Sequence, residues 1–304
     1  MTQSNSPGAS SVATLIAQPG RLEPAALERA RAALPQPAHL EWLAKGTAAD
    51  IPFSVNAAID QRALADQLRD AAGGGVDVVV QPNANRRKKL FLADMDSTMI
   101  GQECIDELAA FVGLKAHVAA ITERAMRGEI AFELALRERV ALLKGLPAKI
   151  IDEVIEKHIT LTPGGRTLIA TMRAHGAHSC LVSGGFTLFT GPIAAMIGFD
   201  ESRANTLVID GDKLAGLVQE PIFGRASKRA TLVELRTRLG ISTHDTMVAG
   251  DGANDLDMIM AAGLGVAYHA KPQVAQTAPA CIEHSDLTAL LYIQGYRNDE
   301  FASD

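Results

Sequence analysis

The sequence predicts an α/β protein: a doubly wound parallel sheet with a helical insertion, preceded by a smaller α+β unit. From about residue 162 onward, apolar runs of strand length alternate with helical segments, and this alternation builds a parallel sheet with helices on both faces. The roughly sixty residues before it have a helical pattern throughout. Residues 1–85 follow the order β-α-β-β-α-β of a ferredoxin-like unit.

Composition indicates a globular protein of about two domains. The chain has 304 residues, 47% of them hydrophobic, and a net charge of −6, which argues against a general binder of nucleic acid or of anionic membranes. Three cysteines without C-x-x-C spacing argue against structural zinc and a disulfide framework. No signal peptide and no run of about 18 apolar residues is found. We expect a cytoplasmic protein without nucleic-acid or membrane partners.

The N-terminal unit, residues 1–85, is expected to begin with a flexible tail of about ten residues. Proline near a first helical turn and the glycine run at 73–75 mark helix ends. The order resembles that of the amino-acid-binding ACT domains, so regulation by a ligand or formation of a homodimer are both open. The predicted elements are strands at 12–17, 40–44, 51–55 and 76–80, with helices at 24–34 and 59–71.

A polar, basic segment at 83–89 is predicted to be a solvated linker, because a run of charges is more often a solvated face than a nucleic-acid site. The second domain, residues 86–304, begins with an apolar strand that ends at Asp94. The helical insertion covers about 101–160 and forms a cap. Its predicted helices are 104–112, 116–127, 130–144 and 147–159, the last with Pro147 in its first turn.

The remaining alternation supplies the rest of the sheet. A small hairpin within about 205–219 turns at 210–213, where glycine and aspartates favour a tight turn. The predicted strands are 178–182, 246–249, 265–268 and 281–283, and the predicted helices are 166–174, 186–197, 227–239, 256–262 and 273–278.

Two carboxylates follow the first strand of this domain. In extended chain, positions i and i+2 point to the same face, so Asp94 and Asp96 can act together. Two carboxylates so near each other resist joint ionisation unless a cation lies between them or one of them keeps its proton. Either arrangement suits an Asp94 nucleophile with Asp96 handling protons. The alternative is a turn with two solvated aspartates.

Three further polar groups lie where strands should end and helices begin. Ser183 and Gly184 would open a helix whose N–H groups bind an anion, or else form an ordinary N-cap. Lys228, early in a helix, opposes the helix dipole and needs an anionic partner or full solvation. The glycine-flanked segment 250–255 makes either a capped turn or a site for Mg²⁺, which prefers oxygen ligands. Its oxygen-bearing side chains are Asp251, Asn254 and Asp255.

The predicted cap narrows the choice of substrate. Phe132, Leu136 and Arg139 lie at i, i+4 and i+7, on one helix face. A guanidinium that borders an apolar stripe favours a carboxylate partner, whether a surface ion pair or a ligand. Glu103 begins the first cap helix, nine residues after Asp94, as a dipole partner or a ligand group. Together the pair would suit a zwitterion, with Arg139 on its carboxylate and Glu103 on its ammonium.

In the order D-x-D-x-T, S-G-G, K and G-D-G-x-N-D, these motifs resemble those of the haloacid-dehalogenase (HAD) superfamily of phosphohydrolases. The dehalogenases match less well because they lack the second aspartate, and the related membrane ATPases would need membrane spans. Within the superfamily, residues 88–290 are most similar to the members that hydrolyse O-phosphoserine. The segments that carry this resemblance are 94–98, 126–133, 136–145, 161–164 and 183–186.

The resemblance implies Mg²⁺-dependent hydrolysis of O-phospho-L-serine to L-serine and phosphate through an aspartyl-phosphate, the last step of L-serine biosynthesis. It implies that Asp94 is nucleophile and metal ligand, that Asp96 is acid/base and ligates through its backbone carbonyl, and that Asp251 is the third protein ligand. The residues that it implies for the substrate are Glu103, Met126, Phe132, Arg139, Ser183, Gly184, Lys228 and Asn254.

Two other functions remain open. A related phosphotransferase would pass the phosphoryl group to another alcohol, such as homoserine. A non-catalytic amino-acid sensor would use the N-terminal unit, although the intact Asp94, Asp96, Lys228 and Asp251 argue against it.

Overall fold

The computed structural model describes residues 10–55 and 59–303, without the side chain of Met126. The tail predicted for the first residues falls largely outside this part. Two sheets dominate, one of four strands and one of six, with a separate two-stranded hairpin. No helix in the described ranges is long and apolar enough to cross a membrane.

The N-terminal sheet confirms the predicted order of elements. Its strands are ordered β2-β3-β1-β4, with every neighbouring pair antiparallel. The two helices cover one face, where leucine, valine and alanine side chains form a core. The elements are β1 (Ser11–Ala17), α1 (Pro24–Ala32), β2 (Glu41–Ala44), β3 (Ala48–Phe53), α2 (Gln61–Ala72) and β4 (Val76–Pro82).

The six-stranded sheet is parallel and doubly wound, as predicted. From the central strand β5 the chain builds β6 and β7 on one side, then β10, β11 and β12 on the other, giving the order β12-β11-β10-β5-β6-β7. A crevice for ligands forms where the strand order reverses, at the carboxyl ends of the strands. The strands are β5 (Leu90–Ala93), β6 (His178–Phe186), β7 (Glu201–Asn205), β10 (Thr246–Gly250), β11 (Leu264–Tyr268) and β12 (Ala280–Ile282).

The helices of this part fall into a cap and two layers on the sheet. The cap leaves the chain after Ile100 and returns at Leu161, and these two residues pair as a β-bridge at its base. The cap helices are α3 (Cys104–Ala110), α4 (Lys115–Met126), α5 (Phe132–Leu142) and α6 (Ile150–His158). The others are α7 (Gly165–Ala174), α8 (Thr187–Ile197), α9 (Arg225–Leu239), α10 (Leu256–Ala261), α11 (Pro272–Thr277) and α12 (Ala289–Tyr292), and the hairpin is β8 (Leu207–Asp210) with β9 (Lys213–Val218).

Two predictions at element ends were wrong, and one strand was not predicted. Helix α6 begins at Ile150 because Pro147 bridges Lys213 and the N–H of Ala148 donates to the hairpin carbonyl of Asp212 at 2.8 Å. Strand β6 continues through Ser183 to Phe186, so those residues do not open a helix. Strand β7 was missed because its polar sequence lacks an apolar run, as an edge strand allows.

The segment at 83–89 is exposed at residues 83–85, 87 and 89, as predicted for a solvated linker, but Arg86 and Lys88 are not exposed. The guanidinium of Arg86 pairs with Asp50 at 2.6 Å and also donates to the carbonyls of Tyr292 and Ile293. Lys88 is only 7% exposed, and its ammonium donates to the carbonyl of His244 at 2.8 Å. One apolar cluster joins the second face of the N-terminal sheet, including Ile16, Leu43 and Val79, to the core beside the large sheet.

Candidate active site

The two predicted carboxylates lie at the carboxyl end of β5. Asp94 and Asp96 are 2% and 7% exposed, and the N–H of Asp94 donates to the carbonyl of Ala249 on β10. Both are extended, and Ser97, with a φ of +55°, then reverses the chain. The carboxylate of Asp96 accepts from the N–H of Cys104 at 2.8 Å and the hydroxyl of Ser183 at 3.1 Å. Burial raises the pKa of Asp96, so this carboxyl is suited to carry a proton.

Lys228 has the anionic partners that its position demands. It is fully buried on α9, and its ammonium donates to Asp94 at 2.6 Å and to Asp255 at 2.7 Å. Burial alone would lower the pKa of Lys228, but the two carboxylates raise it above its ordinary value. The lysine therefore stays charged and holds one oxygen of Asp94 in place.

Three buried carboxylates could hold a metal ion. Asp94, Asp251 and Asp255 each offer an oxygen within 4.8 Å of the others. The predicted set had Asp96 in place of Asp255, and the Asp96 side chain is already bonded to Cys104 and Ser183. Ligation through the backbone carbonyl of Asp96, which the resemblance implies, stays a prediction.

The charge of this cluster fits a divalent cation. Three carboxylates face one ammonium, which leaves excess negative charge in a buried place. Burial and the neighbouring Asp255 accordingly raise the pKa of Asp94 well above its usual range, and that of Asp251 to about 7. An all-oxygen donor set of this kind is preferred by hard divalent cations.

The cap brings a charged pair to the same place. Glu103 accepts from the hydroxyl of Ser97 at 2.6 Å, and burial together with the charge of Asp96 raises its pKa well above its usual range. Arg139 is 3% exposed, and donates to the carbonyl of Ala135 and the hydroxyl of Thr122. Within the described residues, no carboxylate forms an ion pair with Arg139. Its expected carboxylate partner could therefore be a ligand.

These groups line a small cavity between cap and sheet. Its volume is about 30 Å³, roughly that of one water, so a larger ligand requires the cap to move. The ring of Phe132 closes it against Gly184, where an added Cβ would lie 2.7 Å from the ring. Asn254 Oδ1, also at this cavity, is buried without a hydrogen-bond partner in the described structure. The lining residues are Asp94, Asp96, Glu103, Ile105, Phe132, Leu136, Arg139, Gly184, Gly185, Phe186 and Asn254.

The remaining predicted residues do not all line this cavity. Ser183 donates to Asp96 and Lys228 donates to Asp94, and these two aspartates line the cavity. Met126 ends α4, and its side chain lies outside the described part of the chain. The ligand set omitted Asp255, although the segment 250–255 had been singled out. Thr98, which donates to Asp251 at 3.2 Å, was visible only as the last letter of D-x-D-x-T.

The family model described as haloacid dehalogenase-like hydrolase matches residues 91–260. A phosphoserine phosphatase of Streptomyces coelicolor is 41% identical over 85% of this chain, and the chain spans 63% of that protein's length. A phosphoserine phosphatase of Polaromonas sp. is 47% identical over 67% of this chain and 88% of its own length.

Solved structures of similar fold come from the same families. A HAD family hydrolase from Salmonella enterica has a TM-score of 0.83 and 28% identity, over 96% of this chain and 99% of its own. A phospho-aspartyl intermediate analogue of phosphoserine phosphatase has a TM-score of 0.65 and 39% identity, over 68% of this chain and 98% of its own. The chain therefore belongs to the haloacid dehalogenase-like hydrolases and, within them, to the phosphoserine phosphatase family.

Proposed function

We propose that this protein hydrolyses O-phospho-L-serine to L-serine and phosphate with Mg²⁺, the last step of L-serine biosynthesis. The observation that carries the proposal is one cavity in which Glu103 and Arg139 face Asp94 and Asp96. The first pair matches the ammonium and carboxylate of an amino acid, and the second matches the chemistry of phosphoryl transfer. The names of the relatives support the same substrate.

In the first step, a carboxylate oxygen of Asp94 attacks phosphorus and the bond from phosphorus to the serine oxygen breaks. The ammonium of Lys228 donates to Oδ1 of Asp94. This bond holds the carboxylate, so its other oxygen is oriented for attack before the substrate arrives. Asp96, whose pKa is raised by burial, gives its proton to the leaving serine hydroxyl. The product on the protein is an aspartyl-phosphate, and the related phospho-aspartyl analogue supports this intermediate.

In the second step, Asp96 takes a proton from the water that attacks the aspartyl-phosphate, which frees phosphate and restores Asp94. When held by Asp94, Asp251 and the backbone carbonyl of Asp96, Mg²⁺ offsets the negative charge of the phosphoryl oxygens. Asp255 orients Lys228 beside that cluster. The closed cap excludes water during the first step and must open for serine to leave.

Substrate contacts divide between the sheet and the cap. On the sheet side, we assign the phosphate to Lys228, Ser183, the backbone at Gly184, and Asn254. On the cap side, Arg139 receives the carboxylate and Glu103 the ammonium. Phe132 and Met126 are assigned to the apolar wall.

We also propose the division into domains that the sequence suggests. Residues 1–85 form an ACT-like unit for regulation or dimerisation, and residues 86–304 form the phosphatase, with its cap at about 101–160 and its hairpin at about 205–219. The shared apolar cluster makes the two parts one folded body without merging their sheets.

The test is release of phosphate from O-phospho-L-serine by the full chain, with Mg²⁺ or with a chelator. We expect turnover that requires the metal and falls strongly with O-phosphoethanolamine, which has an ammonium but no carboxylate for Arg139. Absence of turnover on phosphoserine with Mg²⁺ would refute the proposal. Formation of O-phosphohomoserine when homoserine is added would favour the phosphotransferase instead.

A further inference from the structure

A carboxylate of the N-terminal sheet is bound by the catalytic part of the chain. Asp77, on β4, is fully buried, and its two oxygens accept from the backbone N–H groups of Glu283, His284 and Ser285 at 2.7–3.2 Å. A buried carboxylate is costly without such bonds, and consecutive N–H groups form an anion-binding concavity. The loop 283–285, which follows β12, is therefore held in place by the N-terminal unit.

The held loop contacts the end of β11. The carbonyl of Ser285 lies 2.9 Å from Nε2 of His269, and because a carbonyl only accepts, that nitrogen carries the proton. His269 has a φ of +45°, a conformation uncommon outside glycine. Its N–H donates to the carbonyl of Ile282 at 2.8 Å. Bonds on both sides thus hold a backbone conformation that this residue rarely adopts.

Two residues later, the same segment reaches the carboxylate cluster. The N–H of Lys271 donates to the carbonyl of Asp251 at 3.0 Å, and its ammonium lies 3.3 Å from Glu123 on cap helix α4. Asp251 is a member of the cluster that could hold a metal. Contacts therefore run from Asp77, through the loop 283–285 and the segment 269–271, to Asp251.

We propose that Asp77 is a positioning residue for the metal site. It fixes the loop 283–285, which places the segment 269–271 and through it Asp251. This inference rests on the proposed metal-dependent function, and adds that the N-terminal unit supports the metal site directly. Outer partners of metal ligands commonly set metal affinity, and coupling between two sites is reciprocal.

The test measures Mg²⁺ binding to the full chain by isothermal titration calorimetry, without substrate. Asp77→Asn keeps the side chain's size but replaces one accepting oxygen with an amide nitrogen that cannot accept. We expect the Kd for Mg²⁺ to rise ~3–10-fold, less than the loss of a direct outer partner of a ligand commonly costs. His269→Asn tolerates the left-handed conformation but is too short to reach Ser285, and should weaken binding similarly.

Asp50→Asn is the matched control. Asp50 is a second buried aspartate of the N-terminal sheet, and its partner Arg86 bonds to the carbonyls of Tyr292 and Ile293 instead of the segment 269–271. Its loss should lower Tm and leave the Kd for Mg²⁺ unchanged. An equal rise of Kd in Asp50→Asn would overturn the proposal, because docking in general would then be responsible.

A second readout is reciprocal. Saturating Mg²⁺ should slow hydrogen exchange at the amides of the loop 283–285 in the wild type, and less so in His269→Asn. The double variant should bind Mg²⁺ no more weakly than the weaker single variant, since both break one series of contacts. Unchanged Kd in folded Asp77→Asn and His269→Asn overturns the proposal, and His269→Asn decides alone if Asp77→Asn does not fold. None of these measurements needs turnover, so an inactive wild type would count only against the proposed function.

Discussion

At the scale of single residues, the proposed mechanism requires the carboxylate of Asp94 to form the bond to phosphorus. Asp94→Asn should fold, since Lys228 keeps its bond to Asp255. Phosphate release should fall on the order of 10⁴-fold or more, as for loss of other covalent nucleophiles. Asp257 forms an exposed ion pair with Arg225. Asp257→Asn is therefore the control and should keep full activity. Substantial turnover in a sample of Asp94→Asn shown by mass spectrometry to be free of deamidation would exclude Asp94 as nucleophile.

Arg139 tests substrate recognition apart from chemistry. Losing one partner of a buried charge pair costs about 3–5 kcal/mol, and about 1.4 kcal/mol is tenfold, so Arg139→Ala should lower kcat/KM on phosphoserine roughly 10²–10⁴-fold. Arg139→Lys should recover little, because an ammonium lacks the planar two-point contact. An aryl phosphate without a carboxylate should change far less.

The control for Arg139 lies on the same helix. Arg137 pairs with Glu220 at the surface, so Arg137→Ala should leave both substrates unaffected. If Arg139→Ala loses activity equally on phosphoserine and on the aryl phosphate while its circular dichroism is unchanged, Arg139 serves the chemistry or the cap instead of the substrate carboxylate.

Residue patterns could predict which groups approach the site, but not how each one is held. The spacing of Phe132, Leu136 and Arg139 is local, and so is the pair Asp94 and Asp96, which allowed their grouping from the sequence. The bond from Lys228 to Asp255 joins residues 27 apart and depends on how α9 packs beside β10. Sequence periodicity carries no information on such contacts, so the bond from Lys228 to Asp255 could not be predicted.

At the scale of elements, two glycines should respond oppositely to the same change. On Gly265, in β11, a Cβ would lie 2.1 Å from the carbonyl oxygen of Ile259 in α10, so Gly265→Ala must displace backbone. We expect a loss of about 1–3 kcal/mol or more in the free energy of unfolding, measured with urea. Gly74, in the turn after α2, has open space and no positive φ, and Gly74→Ala should gain about 0.4–1 kcal/mol. A gain for Gly265→Ala would mean that α10 does not pack this closely on β11.

Elements with apolar runs or clear ends were predictable, and elements defined by their neighbours were not. β5 and β10 are buried on both faces, so their sequences are continuous apolar runs. β7 is a polar edge strand of the sheet. Pro147 pairs with Lys213 of the hairpin and therefore lies outside α6. In both cases a tertiary contact, rather than local preference, determined the structure.

At the scale of the whole molecule, the basic segment 83–89 was predicted only in part. Charge runs are usually solvated, and Arg87 and Lys89 are exposed, yet Arg86 and Lys88 are not. Arg86 and Lys88 donate to backbone carbonyls of the catalytic part. Such carbonyls need hydrogen-bond donors once the N-terminal sheet covers them. A single sequence does not reveal which surface will be covered, so the segment could not be recognised as an interface.

Arg86 is a largely buried link between the N-terminal sheet and the catalytic part. Arg86→Ala would leave Asp50 buried without its cation and would remove the bonds that Arg86 donates to the carbonyls of Tyr292 and Ile293. Breaking a buried pair in this way costs about 3–5 kcal/mol, which should appear as a lower urea midpoint of the full chain. Arg87, the adjacent and half-exposed arginine, pairs with Glu300, and Arg87→Ala should cost less than about 1 kcal/mol. Equal losses for the two variants would mean that Asp50 is solvated in solution and that the two sheets are held together by apolar contact alone.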